Sequence, residues 1–110
     1  MCLVALAWRA HARYPLVLAG NRDEFHQRPA APAAWWADHP GVLGGRDLQA
    51  GGSWLGITRT GRLAVVTNFP GRAAPAVPAP SRGGLVQGFL TAPHTAAAGL
   101  ATLAGEAARG

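Results

Sequence analysis

Residues 16–29 read Leu16-Val17-Leu18-Ala19-Gly20-Asn21-Arg22-Asp23-Glu24-Phe25-His26-Gln27-Arg28-Pro29, an apolar run that breaks into a dense polar cluster at residues 21–24. Charged groups beside a core are costly unless they are paired, so this stretch marks a point to which the chain delivers polar groups. The preceding apolar run is Cys2-Leu3-Val4-Ala5-Leu6-Ala7-Trp8, and it opens on the only cysteine of the chain. Periodicity alone does not separate strand from helix in so short a run. Its brevity, and a second apolar run at residues 15–19 beyond a polar, turn-like segment, predict an antiparallel hairpin. With Trp8 opposite Pro15, Cys2 is predicted to face Asn21, with Arg22 and Asp23 alongside. A slip of one residue changes which side chain faces Cys2 but not the neighbourhood. Both arms are apolar on both faces, so the hairpin is expected inside a layered structure.

Downstream, residues 28–40 read as a loop rich in Pro and Ala, with Trp35 and Trp36 covering the edge of a core. Gly44-Gly45-Arg46-Asp47 and Gly51-Gly52 bracket a second glycine-rich loop, where glycine allows close backbone approach. No helix follows it, so it matches neither standard phosphate-loop pattern. Residues 53–58 and 62–68 form a second predicted hairpin about Arg59-Thr60-Gly61. With Thr58 opposite Arg62, Asn68 lands opposite Gly52. The segment 70–80 has four prolines and reads as a loop. Ser81 is a good N-cap for a helix whose apolar face is Leu85, Val86, Phe89 and Leu90. A second helix is predicted over residues 93–108, with Leu100 and Leu103 on its buried side. Strands followed by helices predict an α+β fold with sheet and helices in separate layers.

The chain has 110 residues, which suits one small domain or part of a larger one. Its ten basic residues are all Arg and its net charge is +5. Arg without Lys, together with abundant Ala, Gly and Pro, reads first as GC-rich codon usage and points to a bacterial source. The arginines are scattered singly rather than clustered with aromatics, so a nucleic-acid partner is not expected. A single cysteine excludes an internal disulfide and a cysteine-rich metal site. The first apolar run lacks a basic segment before it and is too short for a signal-peptide core or a membrane span. A cytoplasmic protein is the default reading. The Ala/Gly-rich C-terminal stretch closes on no strand, which leads us to expect a fragment.

Two readings of Cys2 compete. A lone cysteine in an apolar strand is ordinarily a small hydrophobe, and a polar run after a strand is often a turn with an internal ion pair. Against that, aminopeptidases remove Met1 when the next residue is small. A mature chain starting at Cys2 carries a thiol and an α-amine on one residue. The unperturbed amine has a pKa of about 7.7–8.0, so the nucleophile brings its own base. In this reading Arg22 favours the thiolate, Asp23 holds the resulting ammonium, and Asn68 donates its side-chain amide to a developing oxyanion.

Several stretches, in order, resemble one family. They are Met1-Cys2 leading an apolar strand, Tyr14-Pro15-Leu16-Val17-Leu18-Ala19, Asn21-Arg22-Asp23-Glu24-Phe25 and Arg28-Pro29. They continue with Val42-Leu43-Gly44-Gly45-Arg46-Asp47, Ala50-Gly51-Gly52-Ser53-Trp54-Leu55-Gly56, Val66-Thr67-Asn68-Phe69 and Ser81-Arg82-Gly83. From Met1 to about Leu90 the chain resembles the NRDE family (transport and Golgi organisation protein-like). Members run to roughly twice this length, so the resemblance implies that residues 1–110 are the N-terminal part of a single domain. The family looks like a branch of the N-terminal-nucleophile hydrolases, which implies an αββα sandwich, here only its N-terminal half.

The acylases of that superfamily imply an amide hydrolase with Cys2 as nucleophile and Asp23 beside it. Their Arg-Asn-x-Asp differs from Gly20-Asn21-Arg22-Asp23 here in the position of the arginine. Their oxyanion asparagine corresponds to Asn68 in Asn68-Phe69-Pro70-Gly71. Arg22 joins Cys2, Asp23 and Asn68 in the expected catalytic set, which stays incomplete because the acylases' second Asn and Arg correspond to positions beyond residue 110; Asn21 and Glu24 are expected to bind a small-molecule amide substrate, with no cofactor and no metal. The family resemblance also implies an alternative, a non-catalytic protein that binds or traffics haem or a lipid or acyl-CoA metabolite. For haem the sequence offers only the isolated His11, His26, His39 and His94, and no Cys-x-x-Cys-His.

Overall fold

The computed structural model of the chain describes residues 2–68, 80–93, 95, 97–101 and 104. These residues form an α+β fold. Strands β1 (Val4–Trp8) and β2 (Leu16–Gly20) make a two-stranded antiparallel sheet. Strands β3 (Ala30–Trp35), β4 (Val42–Asp47), β5 (Leu55–Thr58) and β6 (Leu63–Val65) make a four-stranded antiparallel sheet in that spatial order. Helix α1 (Gly83–Thr91) packs on β4, β5 and β6.

The first hairpin forms with its register one residue from the expected one. Trp8 pairs with Leu16 and Val4 with Gly20, which sets Leu3 rather than Cys2 beside Asn21. Proline explains the shift. Pro15 has no N–H to give to a ladder and sits instead at the end of the connection, where its carbonyl accepts from Arg9 N at 2.7 Å. Arg9 takes a left-handed φ of 53°, and His11 Nδ1 accepts from Arg13 N and Tyr14 N. The expectation that this hairpin lies inside a layered structure is not met among the described residues, where Leu6 (59%) and Trp8 (60%) are exposed.

Two predicted loops are strands. The Pro/Ala-rich segment contains β3, an edge strand whose pairing with β4 shifts between Ala31 and Ala34. Pro32 falls within that irregularity, where a missing N–H costs no ladder bond. Gly44 and Gly45 lie inside β4 rather than in a loop. Their lack of a Cβ serves packing. An added Cβ would stand 2.6 Å from Leu55 O at Gly44 and 2.6 Å from the Trp54 ring at Gly45. The second hairpin has the predicted register, with Ile57 opposite Leu63 and Thr58 N donating to Arg62 O at 2.9 Å. Gly61, at φ 92°, closes its three-residue turn.

The core is Trp36, Val42, Val86 and Leu90, with Ala64, Val66 and Phe89 packed against it. Burying Val86 and Leu90 is worth about 1.5–3 kcal/mol for each side chain. Trp36 is thus a core residue, its Nε1 donating to Gly44 O. Trp35 is exposed and carries the Arg59 guanidinium 3.8 Å from its ring centroid. The N-cap of α1 is Arg82, one residue after the predicted Ser81, and it makes no side-chain capping bond. Arg82 already has helical angles, and the Ser81 hydroxyl accepts from Gly83 N at 3.3 Å. Leu85 is exposed, unlike the other three residues of the predicted face.

Arg62 Nη1 donates to Phe89 O at 2.7 Å in the last turn of α1, where carbonyls lack helical partners. Of the predicted second helix, residues 97–101 are helical, but Gly99 is the buried position and Leu100 is 59% exposed. Leu103 and most of the proline-rich loop lie outside the described residues. No helix among the described residues is long and apolar enough to cross a membrane.

Candidate active site

The open end of the first hairpin, the end of β6 and the start of α1 line one cleft of about 120 Å³. Cys2, Asn21, Arg22, Glu24 and Asn68 all contribute to it. Asn21 ends the β1–β2 ladder. Its N–H donates to Leu3 O at 3.1 Å, while its side-chain Oδ1, rather than a main-chain carbonyl, accepts from Leu3 N at 2.8 Å. The strands part there. The chain then turns so that Asp23 N donates to Cys2 Sγ at 3.4 Å.

Asn68, two residues past Val66, meets the same turn from the other sheet. Its Nδ2 donates to Asp23 O at 3.2 Å, and its main-chain N–H points at the Cys2 sulfur. The N–H groups of Asn68 and Asp23, in that order of effect, hold the Cys2 thiol below its ordinary range. Both favour the thiolate, which is the reactive form. The Asp23 carboxyl is likewise held below its usual value, chiefly by a hydrogen bond from the N-terminal amine of the chain.

Arg22 is engaged with two neighbours. Its guanidinium lies 4.3 Å from the Trp54 ring centroid and 3.6 Å from Glu24 Oε2. Trp54 in turn rests on Gly45 of β4, so a glycine in a strand makes room for the ring that carries Arg22.

Among the other lining residues, which had not been singled out as site residues, five bear on its chemistry: Arg28, Asp47, Ser53, Trp54 and Arg82. Asp47 is buried. Its carboxylate accepts from Arg28 Nη2 at 2.6 Å, from Arg28 Nε at 3.2 Å and from Gln49 N at 3.0 Å. The Arg28 hydrogen bond, then the Gln49 N–H, hold its carboxyl low against the opposing effect of burial. The buried Ser53 hydroxyl donates to Gly45 O at 2.8 Å. The available signal was positional: each of the five lies in a stretch that carries the family resemblance. Among the described residues no three His, Cys, Asp or Glu side chains are grouped to hold a metal ion. His11 stacks on Tyr14 at the hairpin tip and His39 lies near Trp36.

These carboxylates set an expected acid response. Asp47 is held low by Arg28, and Asp38 is lowered to about 2, chiefly by its bidentate bonds from Arg46 at 2.6 and 2.9 Å. In the unfolded chain both titrate near 3.9, so below that pH the unfolded state binds more protons and stability falls with pH. The urea midpoint is expected to be flat from pH 7 to about 5 and to drop as the pH falls from about 4 to about 2. Asp47→Asn should shrink that drop. A midpoint equal at pH 6 and pH 3 in the native sequence would contradict this account.

Comparison with known proteins adds ancestry to this geometry. A family model described as "Transport and Golgi organisation 2" matches residues 1–109. The chain is 45% identical over 82 residues to a mouse protein named "Transport and Golgi organization 2 homolog" and 43% identical over 83 residues to its human counterpart. It is 38% identical over 84 residues to the Drosophila protein "Transport and Golgi organization protein 2". Each match covers 71% of this chain and 29% of the relative. The chain thus spans less than a third of the length of these curated relatives, which come from animals.

Proposed function

This chain belongs to the Transport and Golgi organisation 2 family, and from that premise and the geometry around Cys2 we propose that the whole protein is an N-terminal-nucleophile amidohydrolase. In this reading residues 1–110 are the N-terminal part of one αββα domain. The observation that carries it is the convergence on the Cys2 sulfur of two main-chain N–H groups, from Asp23 and Asn68, inside a cleft. Cysteines buried as mere hydrophobes have no such need.

Once Met1 is removed, the α-amine of Cys2 takes the thiol proton and the thiolate attacks the amide carbonyl carbon. The carbonyl π pair moves to oxygen. An Asn side-chain amide has two N–H donors; one from Asn68 ties down Asp23 O, and the other serves the oxyanion. As the intermediate collapses, the C–N bond breaks and the ammonium returns its proton to the leaving amine. Water then cleaves the thioester, with the amine again as base, releasing the acid and restoring the thiol. Asp23, whose carboxyl is held low here by the amine of the unprocessed N-terminus, fixes the Cys2 ammonium that takes that amine's place once Met1 is gone. Arg22, held by Trp54 and Glu24, supplies positive charge beside the thiolate.

The test is to compare whole protein that begins at Cys2 with protein whose initiator Met is retained, using a library of amide and β-lactone electrophiles. Covalent labelling at Cys2 and amide turnover are expected only in the processed form. Equal labelling in both, without turnover, would defeat the mechanism and favour a binding protein for haem or a lipid or acyl-CoA metabolite.

A further inference from the structure

The charges in the cleft do not balance. Three guanidinium groups line it, from Arg22, Arg28 and Arg82, against the carboxylates of Glu24 and Asp47. Glu24 is taken by Arg22, whose face is also covered by Trp54. Asp47 is taken by the fork of Arg28. Among the described residues no carboxylate pairs with Arg82, which stands on the α1 side of the cleft opened by Cys2 on the hairpin side. The lining also includes the aliphatic side chains of Val4, Leu18, Leu55 and Val65. A ligand that fills this space meets a thiol, some aliphatic surface and an uncommitted cation. A guanidinium fork matches a carboxylate or a phosphate with paired N–H donors.

We propose that the amide acted on at Cys2 carries an anionic group, a carboxylate or a phosphate ester, and that Arg82 receives it. The inference rests on the amidohydrolase reading for the word substrate, but its test needs no turnover.

The probes are iodoacetate and iodoacetamide, which differ in charge and little in size. Their rates at Cys2 are followed in the whole protein, at low ionic strength, by mass spectrometry of the Cys2 peptide. The ratio of iodoacetate to iodoacetamide reactivity is expected to exceed that of the urea-unfolded chain by about three-fold or more, the size of one exposed charge interaction. Arg82→Gln should lower it, whereas Arg82→Lys should keep most of it. Arg13→Gln, at the hairpin tip and outside the cleft, should leave it intact. A ratio unchanged by Arg82→Gln, or lowered as much by Arg13→Gln, overturns the assignment, the latter because net charge alone would then explain it.

Protection of Cys2 from iodoacetamide then separates the two anions. N-acetylglycine outperforming neutral N-acetylethanolamine points to a carboxylate, and N-acetylethanolamine phosphate outperforming it points to a phosphate. Equal protection by all three also overturns the proposal. A charge preference that depends on Arg82 in a protein that turns over no amide would sink the hydrolase reading and leave Arg82 as an anion receiver. Turnover of neutral amides with no role for Arg82 would do the reverse.

Discussion

An alanine at position 2 is expected to abolish amide hydrolysis by the whole protein, lowering kcat by roughly 10³–10⁶-fold, the range seen when a covalent nucleophile is deleted. The motivation is geometric. Cys2 Sγ is the atom on which the Asp23 and Asn68 N–H groups converge, and it is the only thiol of the chain. The same substitution should hardly move the thermal midpoint. The side chain is only half-buried, and Asn21 holds the neighbouring Leu3 through main-chain atoms that alanine leaves in place. Kinetics and thermal unfolding of one purified variant therefore separate the two readings of this residue. Lost turnover with intact stability marks a nucleophile; intact function with lost stability marks a packing group and ends the catalytic assignment.

The second large effect is structural. A Cβ on Gly52 would stand 2.4 Å from Gly83 C and 2.6 Å from Gly83 O, and both are main-chain atoms that cannot swing aside. Gly52→Ala must therefore push the start of α1 off the sheet and strain the bond from Ser53 N to Gly83 O, now 3.3 Å. Overpacking of this kind costs about 1–3 kcal/mol or more, or roughly 4–20 °C in Tm for a domain of this size. Gly84→Ala is the matched control. It lies one residue further along α1, meets nothing within 4 Å, and should gain up to about 1 kcal/mol of helix propensity. Opposite signs at residues 52 and 84, read by thermal unfolding, are the expected outcome; equal small effects would refute the tight backbone contact.

The two hairpins were legible in the sequence because apolar runs and a glycine turn are local signals. The second kept its register since Gly61 dictates the turn. The first slipped by one because Pro15, which looks like the start of a strand, lacks the donor a ladder needs. Strand β4 was read as a loop because Gly44 and Gly45 carry no hydrophobic pattern; the reasons for their presence are Leu55 O for Gly44 and the Trp54 ring for Gly45, eleven and nine residues away. β3 was missed because Ala and Pro on an edge strand mimic loop composition.

The neighbourhood of Cys2 was foreseen because it follows from hairpin pairing, which a slip of one residue leaves intact. The roles of the polar groups were less legible. Which part of Asn68 reaches the sulfur, and that Arg22 lies on a tryptophan, depend on long-range packing. The Arg28–Asp47 pair joins positions 19 apart, and nothing local in the sequence couples them.

The Asn21–Leu3 clasp has an evolutionary corollary. Because it fixes the register at the Cys2 end, length changes in the connection at residues 9–15 are absorbed at the far, exposed tip. Insertions or deletions there leave the nucleophile where it is. Within the arms, side chains alternate between faces, so inserting one residue between Cys2 and Leu3 inverts parity and turns the thiol to the opposite side of the ribbon. Homologues are therefore expected to vary the tip in length and to keep the cysteine directly before the residue that the Asn21 clasp holds.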